Sequence, residues 1–249
     1  MKILHLDIET SYIIGAVWGM WEQNVATTIQ DFYVLGFGYS WNHLSPVVWV
    51  GMSDFPKQFK KDHTNDIEVV KELHRLLTEA DVVVAHNGDA FDIKKIRGRF
   101  LVHGMQPPTS FKTVDTKKVA KQFGFASNKL DELGRILLQE RKIKHEGIDM
   151  WTACMRKDID ERAWKQMGTY CKQDVALLKK LYNLMLPWIT NHPNWNVYSD
   201  MPPSCTNCGS GQIWKDGQDY TRTTVVQQYR CKRCGCVMRG ASRKMTDIR

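Results

Sequence analysis

The stretch Lys2-Ile3-Leu4-His5-Leu6-Asp7-Ile8-Glu9-Thr10 decides how this chain folds. Lys2 to Ile8 reads as a short buried strand, rich in Ile and Leu and bounded by Glu-Thr-Ser. Asp7 and Glu9 stand two residues apart, so on a strand they leave the same face, about 7 Å apart along it. Carboxylates that close repel each other unless a cation sits between or beside them. Hard oxygen donors of this kind suit Mg²⁺ or Mn²⁺. The competing reading is an Asp-x-Glu that merely ends a strand.

Working outward, Tyr12, Trp18 and Trp21 fall in a loop or hairpin. Phe32 to Trp41 and Val47 to Gly51 read as strands, and Asn65 to Ala80 as a helix whose stripe is Ile67, Val70, Leu73, Leu77 and Ala80. Val82-Val83-Val84-Ala85 is a buried strand that runs into His86-Asn87-Gly88-Asp89-Ala90-Phe91-Asp92. Asp89 to His103 is then a helix, with Asp89 as its cap and Asp92 left to face the sheet end. Thr113-Val114 is a last strand ending at Asp115, an acid expected to be structural. Helices follow over Thr116–Phe123, Leu130–Gln139 (capped by Asn128), Ile159–Met167 and Thr169–Trp188, while His145 falls in an exposed loop. Tyr170 and Asp174 are i and i+4, on one helical face and within reach of a common ligand. Strands with one interposed helix, then helices with one more strand, make an α/β layered domain.

Asp-Ile-Glu-Thr, Asn-x-x-x-Phe-Asp and Tyr-x-x-x-Asp, in that order, resemble the DEDD superfamily of 3′→5′ exonucleases. The tyrosine marks the subclass similar to the proofreading domains of family B and family A DNA polymerases and their stand-alone phage and bacterial relatives. The histidine subclass has no match, because that position is Thr169. Val114-Asp115-Thr116 and Lys129-Leu130-Asp131-Glu132-Leu133 resemble the family's middle segments.

The likeness covers residues 1 to about 190 and implies an RNase H-like mixed five-stranded sheet flanked by helices. It further implies two Mg²⁺ or Mn²⁺ ions, with Asp7 bridging both, Glu9 and Asp174 completing the nucleophile-side ion, and Asp92 acting on the second through water. Tyr170 would orient the attacking water, and the product would be a nucleoside 5′-monophosphate. Thr10 and Ser11 are candidate contacts to the terminal nucleotide. Asn87 is another candidate, although it and Phe91 also suit a role in shaping the turn. Trp18 and Trp21 either cover the core or stack an unpaired base.

The chain has 249 residues, with 43% hydrophobic and 25% charged, which excludes wholesale disorder. Its net charge is +8. From Asp200 onward nine Lys/Arg face four Asp, so the tail holds +5 of that total and suits a polyanionic partner. No stretch is apolar enough to cross a bilayer, and Asp7 comes too early for a signal peptide. Five of the seven cysteines crowd into the last fifth of the chain. Reduced thiols and a cytoplasmic location, the host's for a phage-encoded chain, are expected.

Cys205-x-x-Cys208-Gly209 and Cys231-x-x-Cys234-Gly235, separated by 22 residues, give a Cys₄ site for one structural Zn²⁺, resembling a zinc ribbon. Cys236 is a substitute ligand in poorer turn geometry. Gln212–Trp214 and Thr223–Tyr229 read as hairpin strands with Gly217 in the turn. Trp214, Arg230 and Arg233 are candidate nucleic-acid contacts on this ribbon; a merely stabilising or protein-docking ribbon is the alternative. The expected domains are 1–190, a linker over 191–204, and the ribbon at 205–249. The expected function is hydrolysis of single-stranded nucleic acid with a free 3′ end, DNA before RNA. Trimming of RNA ends and a non-catalytic binding scaffold are the alternatives.

Overall fold

The opening strand lies at the centre of a sheet. In the computed structural model, which describes residues 1–21, 23–42, 44–143, 147–197 and 203–244 (side chains to 240), β1 (Ile3–Thr10) pairs on one side with β4 (Val34–Trp41) and on the other with β6 (Val82–Ala85). The β4 pairing is antiparallel and the β6 pairing parallel, so the sheet is mixed. With β5 (Val48–Gly51) and β7 (Lys112–Asp115) at the edges, the order is β5-β4-β1-β6-β7. Between β1 and β4 the chain makes a two-stranded hairpin, β2 (Ile14–Ala16) and β3 (Thr27–Gln30). The chain divides into two units, Lys2–Leu181 and Tyr182–Arg249 with Met1.

In the first unit, Leu4, Leu6 and Ile8 of β1 join one buried cluster with Leu35 and Phe37 of β4. Val70, Leu73 and Leu77 of α2 (Ile67–Glu79) and Ile96 and Phe100 of α3 (Asp92–Val102) belong to the same cluster. Period-two alternation therefore turns Asp7 and Glu9 to the opposite face. There α7 (Glu161–Met185) approaches closely, because β4 offers Gly38 opposite Asp7. A Cβ at Gly38 would lie 3.0 Å from both Cys171 Sγ and Val175 Cγ2. The glycine lets the helix bearing Tyr170 and Asp174 rest against the strand bearing the acids.

Several local expectations are corrected. The two helices expected on either side of Gly168 are one, because a glycine costs a helix only about 1 kcal/mol and the burial of Trp164, Met167, Cys171 and Val175 outweighs it. Asp89 does not cap α3, which begins at Asp92; its carboxylate pairs with Lys118 at 2.7 Å. Asn128 does not cap α5 (Leu130–Leu138); its carbonyl meets His86 Nε2 at 2.9 Å. Asp115 does act as a cap, its side chain accepting the Lys117 and Lys118 N–H groups at the start of α4 (Thr116–Ala120). Two short helices were not anticipated, α1 (Pro56–Lys61) and α6 (Ile148–Cys154). The loop assigned to His145 lies outside the described residues.

The second unit holds an antiparallel sheet of β8 (Ile213–Tyr220), β9 (Thr224–Cys231) and β10 (Val237–Lys244), with β9 in the middle. Gly217 lies inside β8 at a register shift, and residues 221–223 make the turn. Of the segment expected to be a linker, Trp195–Val197 forms a 3-10 turn. Trp195 donates Nε1–H to the Asn207 carbonyl, and Asn207 Nδ2 donates to the carbonyls of Leu186 and Ile189.

Candidate active site

The start of α3 and the middle of α7 converge at the C-terminal end of β1. Asp92, first residue of α3, is buried, and its Oδ1 accepts the Ile8 N–H at 3.0 Å. That bond ties the helix start to the strand between Asp7 and Glu9. Asp174 is buried on α7. Burial pushes the Asp7 carboxyl well above the usual carboxylate range, and the charges of Asp92, Glu9 and Asp174 push it further. Glu9 is pushed up to about 8, by burial and then by Asp174. Asp92 is raised to about 7 by burial, against the lowering effect of the Ile8 N–H bond.

Four carboxylates gathered out of water repel one another, and ions so buried carry a penalty of several kcal/mol each unless paired. A hard cation relieves both terms. The donor set fits one: ligand atoms of Asp7, Glu9 and Cys171 all lie within 4.8 Å of each other. Burial pushes the Cys171 thiol up, with Asp7, Glu9 and Asp174 adding to it. It therefore stays protonated, 3.7 Å from Asp7 Oδ2, and the hard oxygens are the ligands on offer.

Lys142 is the residue that sequence reasoning missed. Its ammonium pairs with the Asp174 carboxylate and donates to Tyr170 Oη at 2.8 Å. Burial lowers its pKa, but Asp174 and then the Tyr170 hydroxyl outweigh that and hold it above the ordinary lysine value. Burial and the Asp174 charge push Tyr170 up to about 12, so the phenol keeps its proton. The loop is pinned on both sides. Asp131 Oδ1 accepts the Lys142 N–H at 2.9 Å, and Gln173 bonds both Ile143 N and the Arg141 carbonyl. No periodicity marks a loop lysine; the acid at Asp131 and the Gln beside Asp174 were the only traces.

The fold has counterparts among known proteins. The sequence model of the RNase_H superfamily matches residues 44–186. The chain belongs to the RNase H superfamily. The matched span runs from before β5 to the end of α7 and contains Asp92, Tyr170 and Asp174, while Asp7 and Glu9 precede it. Among solved structures, the family B DNA polymerase from the hyperthermophilic archaeon Pyrobaculum calidifontis superposes with a TM-score of 0.54 at 16% identity. The similarity covers 75% of this chain and 25% of the polymerase, so the chain spans about a quarter of that protein's length. No curated protein sequence matches. No helix among the described residues is long and apolar enough to cross a membrane.

Around this acidic cluster the other candidates fall out unevenly. Thr10 ends β1 at a register shift and accepts from Lys95 Nζ at 3.4 Å. The Lys95 ammonium lies over the rings of Phe32 and Phe91, 3.7 and 5.0 Å from their centroids. Ser11 is buried and its hydroxyl accepts the Tyr33 N–H, which leaves no exposed group to meet a nucleotide. Asn87 adopts a left-handed φ of 69°, donates its N–H to Asp115 and accepts from Lys117 Nζ, which makes it a turn-forming residue. Trp18 and Trp21 are 92% and 81% exposed, so they do not cover the core.

In the second unit the four cysteines meet as their spacing requires. Cys205 and Cys234 Sγ are 3.6 Å apart, as are Cys208 and Cys231. A tetrahedral ion with Zn–S bonds of about 2.3 Å separates its sulfurs by about 3.8 Å, so the cluster can bind zinc. Gly209 and Gly235 follow the pairs at φ of 70° and 81°, and each N–H closes the knuckle on the first cysteine's carbonyl. Cys236 lies outside the set and bonds the Val237 carbonyl. Trp214 is partly exposed and Arg233 exposed, whereas Arg230 is paired with Asp216 at 2.6 Å.

Proposed function

We propose that this chain is a metal-dependent 3′→5′ exonuclease that hydrolyses phosphodiester bonds at the free 3′ end of single-stranded DNA, releasing nucleoside 5′-monophosphates. The observation that carries this reading is the convergence of Asp7, Glu9, Asp92 and Asp174, with Tyr170 and Lys142 against the last of them. Membership of the RNase H superfamily supports it, and the fold shared with a DNA polymerase favours DNA as the strand. In this reading residues 1–190 are the nuclease domain, 191–204 a linker and 205–249 a zinc ribbon that tethers substrate through Trp214 and Arg233, in the cytoplasm.

The four carboxylates would hold two Mg²⁺ or Mn²⁺ ions, which when bound neutralise charge on the reacting phosphate and favour hydroxide over water. The rest is done by the chain itself. Burial and mutual repulsion keep the carboxylates ready to exchange protons for a cation. Tyr170 accepts from Lys142, which also pairs with Asp174, so the phenol is held beside that carboxylate, where it would align a water for attack. Lys142 holds its proton throughout and faces the charge that builds as the phosphate is attacked. Alignment of the water, rather than proton transfer by the phenol, is the role of the pair.

The test is digestion of 5′-labelled linear DNA, circular single-stranded DNA and RNA with Mg²⁺ or Mn²⁺. Shortening of linear DNA from its 3′ end, with circles intact, supports the proposal. Cut circles would mean endonuclease action. Shortening of RNA alone would move the substrate to RNA ends, and no cleavage of any strand would leave a binding scaffold.

A further inference from the structure

The outer face of α7 carries a feature that the acidic cluster does not use. A cavity of about 610 Å³ runs along it from Glu161 to Tyr170, with Ile143 on its other wall. Arg162, Lys165 and Thr169 recur at helical spacing on this face, while Ala163, Trp164 and Met167 are buried on the opposite one. Lys165 and Arg162 thus lie about 7.5 and 12 Å along the helix axis from Tyr170. The volume lies within the 300–1,000 Å³ typical of a small-ligand site, roughly.

We propose that this cavity is a subsite for the substrate strand beside the bond that is cut, with Arg162 and Lys165 each holding one backbone phosphate and a base lying against Ile143. The proposal rests on the nuclease reading of the neighbouring carboxylates. A strand whose reacting phosphate sits at Asp7 and Asp174 must leave that centre over groups that accept its charge. The carboxylates cannot serve, and Tyr170 is shared by both sites. From Tyr170 the cavity leads to two cations at successive helical turns. Glu161 closes the far end with a negative charge, which limits the track to two phosphates. Gln166 and Thr169 add uncharged polar groups, so the subsite reads backbone and not sequence.

The experiment measures binding of a 5′-fluorescein-labelled oligothymidylate to full-length Asp7→Asn protein by anisotropy, over a series of salt concentrations. Asp7→Asn serves as the background so that nothing is hydrolysed. Adding Arg162→Ala and Lys165→Ala should weaken binding. It should also flatten the slope of log K against log salt by about 1.4, the share of two phosphate contacts on a single strand. Both side chains are exposed on a helix, and an unchanged melting temperature checks that the variant folds. Lys60→Ala with Lys61→Ala, exposed on α1, removes the same net charge elsewhere and should leave the slope unchanged. An unchanged slope in the Arg162/Lys165 variant, or an equal change in the Lys60/Lys61 control, overturns the subsite. Cleavage by the wild-type chain is read separately. Its absence beside a flattened slope would sink the nuclease reading and leave the polyanion site standing. Its presence beside an unchanged slope would sink the subsite alone.

Discussion

Lys142 changes how Tyr170 and Asp174 are read, because its ammonium bonds both side chains. Lys142→Met should lower kcat by about 10² to 10³, the cost of one charge-stabilising donor, with little change in KM. Steady-state kinetics on a labelled oligonucleotide would show it, and a loss confined to KM would reassign the lysine to substrate binding. The acids have their own signature in stability. Glu9 rises from 4.5 to about 8 in the fold, and Asp92 from 3.8 to about 7. A raised carboxyl pKa means that the folded state holds the proton more tightly. Its contribution is full below the unfolded pKa and is lost as pH rises through the folded one. Without added Mg²⁺ or Mn²⁺, the melting temperature should therefore fall between about pH 5 and pH 8. Glu9→Gln should remove part of that fall, and added Mn²⁺ should offset it at pH 8. Melting curves independent of pH and metal would contradict the repulsive cluster. Spacing put Asp7 with Glu9 and Tyr170 with Asp174 on shared faces, while the resemblance to the exonuclease family singled out these four and Asp92 as candidate site residues. Lys142 could not be picked out, because Asp131 and Gln173, distant in sequence, fix where its loop lies.

At the scale of elements, the interior network on Asp66 shows what holds the sheet to its helices. Asp66 is fully buried and accepts Arg99 Nε and Nη2 from α3, the Val34 N–H from β4, and His103 Nε2. Asp66→Ala would strand a buried guanidinium and should cost about 3–5 kcal/mol, readable by urea unfolding. A loss below about 1 kcal/mol would mean that the pair is dispensable. The strands of the five-stranded sheet and α2 were legible because buried β runs and an amphipathic stripe write themselves into the sequence, whereas β10 was not expected and β8 runs on through Gly217. The helix caps were not legible. Asp89 has the right residue type for a cap, yet Lys118 claims it, and Asp115 caps α4 because β7 ends there. Capping depends on where the chain comes from, which local sequence does not encode. The Trp18 and Trp21 hairpin was ambiguous for a related reason: tryptophans suit a core and a stacking surface equally, and only exposure distinguishes them.

For the whole molecule, the two units differ in what stabilises them. The first has a core spread over β1, β4, α2 and α3. Among the described residues, the buried cluster around the four cysteines is Cys205, Cys231, Cys236 and Met238, small enough that its folding is expected to depend on an ion. Cys208→Ser should lose about one equivalent of zinc by elemental analysis and become sensitive to protease after residue 204, while the first unit stays resistant. Undiminished zinc would refute the Cys₄ site. The RNase H-like fold of the first unit was legible from its motifs, and the superfamily match covers residues 44–186. It stops short of Asp7 and Glu9, so the central claim rests on the geometry that brings β1 to α7. The most direct measurement compares wild-type, Asp7→Asn and Asp174→Asn proteins on 5′-labelled single-stranded DNA with Mn²⁺. A ladder that shortens from the 3′ end in wild type alone is the predicted result; an equal ladder from either variant would contradict the account.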